Sequence, residues 1–113
     1  MNEFEVIGKV QGKGRPRFGR GRVYTPQKTV DYEETIRLSF LTSKRILHTS
    51  YVGVTIIAMT SNILGKPDID NIAKVVLDSL NGLAYYDDKQ VVKMEITKVH
   101  SKKERLIIST YDF

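Results

Sequence analysis

Apolar and polar positions alternate near the start of the chain. Phe4, Val6, Gly8 and Val10 fall on one side of "FEVIGKV", which predicts a strand over residues 2–10. The alternation stops in "QGKGRPRFGRGRVYTP". Glycines at 12, 14, 19 and 21 and prolines at 16 and 26 make this a loop or an irregular hairpin, with "RVY" as a short strand. From Pro26 the period becomes helical. Tyr32, Ile36, Phe40 and Ser43 share a face, so a helix is predicted through "QKTVDYEETIRLSFLTSKR". Thr25 is its expected N-cap and Pro26 its first helical residue. Glu33 and Arg37 have the spacing of an i,i+4 pair, and Lys44 and Arg45 stand where a helix C-terminus favours cations.

"YVGVTIIAMT" is β-branched and largely apolar on both faces, as in a central strand. A second helix is predicted from Asn71 to Asn81. Ile72, Val75, Val76, Leu77 and Leu80 form its apolar side, and Gly82 its left-handed terminator. "VVKMEITKV" and "RLIISTY" are two further strands. "HSKKE" between them predicts an antiparallel hairpin. The order β–basic loop–α–β–α–β–β predicts an α+β fold, a mixed sheet of about four to five strands with two helices packed on it. At 113 residues, a single domain over 1–113 is expected.

Charge adds an unusual feature. The net charge is +5, which favours a polyanionic partner. It is unevenly spread. Residues 9–22 carry Lys9, Lys13, Arg15, Arg17, Arg20 and Arg22 and no acid. Residues 68–88 carry Asp68, Asp70, Asp78, Asp87 and Asp88 against one cation, Lys74. The chain has no cysteine, which excludes disulfides, thiolate metal sites and cysteine nucleophiles. It shows no signal-peptide pattern and no apolar run of about 18 residues, so an intracellular, cytoplasmic protein without a membrane partner is expected.

The acidic residues admit two interpretations. Asp68 and Asp70 are two apart at a predicted helix start, and in extended backbone they would point to the same side, about 6.6 Å apart. Two carboxylates so placed converge on a hard cation such as Mg²⁺. Alternatively, Asp before a helix is a common N-cap, favoured by the helix dipole. Asp87 and Asp88 in "YYDDKQV" belong equally to a solvated turn. A connector of six residues, spanning at most about 20 Å, reaches back along a helix of roughly 16 Å to bring Asp88 beside Asp68 and Asp70. It must be nearly extended to do so. Lys74, one turn after Asp70, is either a surface partner of that residue or a cation aimed at a scissile phosphate. Asp78 is expected to be structural. Carboxylates repel phosphates unless a divalent cation bridges the two, and such a cation also activates water, as in metal-dependent nucleases.

The basic loop suits a phosphate clamp. Its arginines match phosphate geometry, and Phe18 and Tyr24 are candidates for stacking on exposed bases. Its alternative is a solvated loop. "DIDNIAK" lacks the ligands and Gly of an EF-hand, and "GKVQGKG" lacks Walker A spacing. His48 and His100, far apart on polar stretches, are expected at the surface rather than in a metal site or triad.

"KPDIDNIAKVVLDSLNG" followed by "AYYDDKQV", with "KGRPRF" and "VYTP" then "YEETI" upstream, resembles the RusA family of Holliday-junction resolvases, common in prophages. The resemblance covers about residues 8–99. It implies a homodimeric, Mg²⁺-dependent endonuclease that nicks two opposed strands of a four-way DNA junction, with Mn²⁺ as an alternative metal and no small-molecule cofactor. It assigns Asp68, Asp70 and Asp88 as catalytic, metal-binding carboxylates and Lys74 as a catalytic lysine. Lys13, Arg15, Arg17, Phe18, Arg20, Arg22 and Tyr24 are the candidate DNA contacts of the loop. The alternatives are a non-catalytic binder of branched or single-stranded DNA, and a metal-dependent enzyme acting on a flap or on RNA.

Overall fold

The computed structural model describes residues 1–43 and 45–113. In chain order the elements are β1 (Asn2–Ile7), β2 (Arg17–Gly19), β3 (Arg22–Tyr24), α1 (Gln27–Leu41), β4 (Val52–Thr60), α2 (Ile69–Leu80), a 3₁₀ turn (Asp88–Gln90), β5 (Val91–His100) and β6 (Arg105–Asp112). Four strands form one mixed sheet in the order β1-β6-β4-β5, and β2 and β3 form a separate ribbon. This is the expected α+β fold, with four strands in its main sheet.

Alternation builds the core. Phe4 and Val6 of β1, Val52, Val54, Ile56 and Ala58 of β4, and Leu106 and Ile108 of β6 face inward. They meet Tyr32, Ile36 and Phe40 of α1 and Ile72, Val75, Val76 and Leu80 of α2 in one cluster. Phe4 and Phe40 lock strand to helix edge-to-face at 5.5 Å. As its apolar sequence predicts, β4 is interior, with β5 parallel on one side and β6 antiparallel on the other.

That arrangement overturns the expected hairpin. The last two strands do not pair with each other, because β4 lies between them. Residues 101–104 instead cross the end of β4, where the Ser101 N–H donates to the Thr60 carbonyl at 2.9 Å. A strand inside a sheet must pair its backbone groups on both edges, and β5 and β6 supply the partners.

Smaller departures have local causes. β1 ends at Ile7 rather than residue 10, since Gly8 turns the chain at φ 120°. α1 starts one residue late, with Pro26 rather than Thr25 at the cap position and no side-chain cap. It ends at Leu41, where Thr42 and Ser43 hydroxyls bond to the carbonyls of Ser39 and Phe40. Arg45 donates to the Leu41 carbonyl at 2.9 Å, a cation at the helix end as expected, while Lys44 lies outside the described residues. Glu33 pairs with Lys13, not Arg37. His48 is buried rather than superficial, with Nδ1 2.8 Å from Asp112 and Nε2 2.9 Å from the Thr110 hydroxyl. His100 is exposed. No helix among the described residues is long and apolar enough to cross a membrane.

Candidate nuclease site and nucleic-acid interface

α2 begins two residues earlier than its apolar period suggests, at Ile69. Asp68 therefore occupies the N-cap position in extended backbone (φ −72°, ψ 159°), and Asp70 lies inside the first turn. Contrary to expectation, the two are not same-side positions of one extended segment, because Asp70 is already helical. Asp68 caps by position alone: its carboxylate accepts no capping hydrogen bond. Both side chains are exposed at the end of the helix whose dipole favours negative charge.

Lys74 is also exposed and forms no ion pair with any described residue, Asp70 included. The simple surface pair is thus absent. Asp78 is structural, as expected, but its partner is Lys13 at 3.1 Å.

The connector after α2 is not extended. Gly82 takes φ 82° as the terminator, Leu83 and Ala84 donate back to the Leu80 carbonyl, and Tyr85 returns to the helix. The Tyr85 hydroxyl donates to the Leu77 carbonyl at 2.7 Å. The chain then reaches the aspartate pair, and geometry divides it. Asp87 caps the 3₁₀ turn, its carboxylate accepting the Lys89 N–H at 2.9 Å. Gln90 completes the box, its side-chain oxygen accepting from the Asp87 N–H at 3.0 Å, while its amide donates to the His48 and Ser50 carbonyls. No described donor satisfies the half-buried Asp88 carboxylate in this way. Partial burial, then the neighbouring charges of Asp87 and Asp78, hold its pKa above the usual carboxylate value.

Asp88 therefore feels Asp78, which lies eight residues beyond Asp70, about 12 Å of helix rise. Among the described residues no three His, Asp or Glu side chains are grouped to hold one metal ion. The structure does not gather Asp68, Asp70 and Asp88 into a shared three-carboxylate site. The donor chemistry nonetheless suits a hard cation: free carboxylate oxygens and a raised Asp88 whose ionised form a cation would favour. Mg²⁺ is commonly held by one or two carboxylates, with waters and substrate phosphates completing its shell.

The basic loop is docked, not free. Gly12 packs so closely on α2 that a Cβ there would stand 2.8 Å from Pro67 Cβ and 2.9 Å from Asn71 Cβ. The Lys13 N–H donates to the Asn71 carbonyl at 3.0 Å, and the Gly14 N–H to the Thr29 hydroxyl at 3.0 Å. Lys13 places its ammonium 2.9 Å from Glu33 as well as against Asp78. Burial alone would lower its pKa, but the hydrogen bonds and charges of both acids raise it. Lys13 is thus committed to the fold, in place of the open phosphate contact that its sequence neighbours suggest.

The remaining loop residues stay open. Arg15, Arg17, Phe18, Arg20, Arg22 and Tyr24 are exposed. Phe18, 78% exposed, and Tyr24 sit on the β2–β3 ribbon, which turns through Arg20 (φ 50°) and Gly21 (φ 75°), the paired positive angles of a tight hairpin turn. Gln90 belongs to the motif that carries the family resemblance, but neither it nor Gly12 has an expected role from the sequence. The D-x-x-Q spacing from Asp87 to Gln90 is a capping signature that would have pointed to Gln90. Gly12's role depends on a tertiary contact with no local signal.

The chain matches the family described as "Endodeoxyribonuclease RusA" over residues 8–111 and belongs to it. It is also similar to a particular protein, "Uncharacterized protein YqaN" of Bacillus subtilis (strain 168), with 49% identity over 41 residues. That match spans 36% of this chain and 29% of the relative's length.

Proposed function

We propose that this protein is a divalent-metal-dependent endodeoxyribonuclease that resolves four-way DNA junctions by paired nicks, acting in the cytoplasm as a homodimer. The observation that carries the proposal is the family match over residues 8–111. Local chemistry supports it. Asp68, Asp70 and Asp88 keep their carboxylates out of capping bonds, and Lys74 keeps its ammonium out of ion pairs, beside an arginine-rich loop.

In this scheme the loop arginines hold the DNA backbone, and Phe18 and Tyr24 stack on unpaired bases at the branch. Asp68, Asp70 and Asp88 are the metal-binding candidates. Mg²⁺, or Mn²⁺ in its place, would supply Lewis acidity and a nucleophilic water there. Lys74 donates hydrogen bonds to the phosphate as negative charge builds on it. Asp87 and Asp78 hold the frame.

The test is a synthetic four-way junction incubated with protein and Mg²⁺. Paired nicks in opposed strands are expected, with Asp70→Asn binding the junction but cutting it at least about 100-fold more slowly, the scale of a lost electrostatic group. No nicking by the wild type, or full cleavage by Asp70→Asn, would sink the proposal. A second reading, a non-catalytic binder of branched DNA, draws support from the absence of a three-carboxylate cluster among the described residues. It predicts salt-sensitive binding with no metal dependence.

A further inference from the structure

We propose that the cleft between the basic loop and the first turn of α1 is a track for the DNA phosphate backbone that leads to Asp68. The identity of the ligand rests on the DNA-cutting function proposed above; the site itself rests on the following geometry. The cleft has a volume of about 350 Å³, and its charged wall consists of Lys9, Arg17, Lys28 and Lys66, with no carboxylate. None of these four cations forms an ion pair with a described residue, though the charge of Lys9 is felt by the Glu104 carboxylate. A second cleft, lined by Arg15, Pro16, Arg17, Lys66, Asp68 and Asn71, shares Arg17 and Lys66 with the first. The two clefts adjoin at these side chains; the charged residues lining the first are all cations, and the second reaches a carboxylate at Asp68.

Unpaired like charges converging on one cleft repel each other, and an anion seated among them relieves that repulsion. Successive phosphodiesters fit better than a single free anion, because two adjoining cation-lined clefts offer more than one phosphate position. Its wall is fixed by contacts already described: Gly12 against Pro67 and Asn71, the Gly14–Thr29 hydrogen bond, and Lys13 held between Glu33 and Asp78. The spacing from the cations to Asp68 is therefore set by the fold. A strand held in the track presents a particular phosphate to Asp68, so the track sets the register of cutting. Lys28 and Lys66 lie outside the basic run of residues 9–22 and became visible as candidates only through the fold.

The experiment compares the full-length wild type with the double variants Lys28→Ala/Lys66→Ala and Lys102→Ala/Lys103→Ala. Both variants remove the same charge, but Lys102 and Lys103 line neither cleft. Binding to a junction is measured against salt concentration without divalent metal, after thermal unfolding has verified that each variant is folded. Each lost phosphate contact lowers the slope of log K against log salt by about 0.9. Lys28→Ala/Lys66→Ala is expected to lower it by about two, and Lys102→Ala/Lys103→Ala to leave it unchanged. An unchanged slope in the first variant, or an equal fall in both, overturns the track. Inorganic phosphate at matched ionic strength is expected to compete no better than chloride; stronger competition would assign the cleft to a free phosphate and overturn the backbone track. If wild type binds junctions but never nicks them with Mg²⁺, the nuclease function fails while the slope test still decides the track.

Discussion

At the scale of single residues, the decisive feature is how two adjacent aspartates separate. By residue type Asp87 and Asp88 are equivalent, and only the family resemblance sets Asp88 apart. In the structure Asp87 has an extended backbone and a capping bond, and Asp88 has unrelieved negative neighbours. The sequence showed which residue types stood where, but this division depends on the dihedrals of Asp87 and on Gln90 reaching back. Asp88→Asn is expected to raise the melting temperature at neutral pH without metal, by about 1–3 °C, while abolishing cleavage. Thermal scans with and without Mg²⁺ check this, since a cation should narrow the difference by stabilising only the wild type. The pH dependence follows the same sign. Asp88 has a folded pKa above its unfolded one, so its contribution to stability is present below the unfolded value and lost as pH rises through the folded value. Asp88→Asn should flatten that part of the stability profile.

At the scale of elements, most of the helices and strands were legible from periodicity alone, and the pairing of the last two strands was not. A four-residue link serves a hairpin or a crossing over one strand end equally well. What decides is that β4 takes a partner on both of its edges, and the crossing is held by Glu104. Its carboxylate accepts from the Ser61 hydroxyl at 2.7 Å and the Val10 N–H at 3.0 Å. Those bonds, the Ser61 hydroxyl foremost, lower its pKa, so its contribution is present above the unfolded carboxylate value and lost as pH falls through the depressed folded one. Glu104→Gln is expected to cost about 1 kcal/mol at pH 7, read by denaturant unfolding, with the difference from wild type shrinking in acid. Docking of the basic loop gives a sharper test. Gly12→Ala forces a methyl into Pro67 and Asn71, which should cost about 1–3 kcal/mol and weaken junction binding even though no DNA contact is removed.

At the scale of the whole molecule, charge was legible in the sequence and its geometry only in part. The basic run and the acidic stretch could be counted, but Lys13 joins the fold, and Lys28 and Lys66 join the cleft, only when the chain is folded. The proposed nuclease should bind junctions with steep salt dependence, and light scattering should give twice the 12.9 kDa chain mass if paired nicking comes from a dimer. The sheet order carries a further consequence, in time rather than space. β1 has a single neighbour, and the register joins Asn2 to Thr110 across nearly the whole chain. β6 also supplies one edge of β4, so two strands, β1 and β4, stay unfinished until residues 105–112 exist. Such distant pairings delay folding, because the cost of closing the loop precedes the gain. During synthesis the arginine loop and the aspartates emerge long before the strand that completes their scaffold. The proposed nuclease activity is thus expected only once translation has passed β6, and a fragment ending before Arg105 should remain unfolded and open to proteolysis.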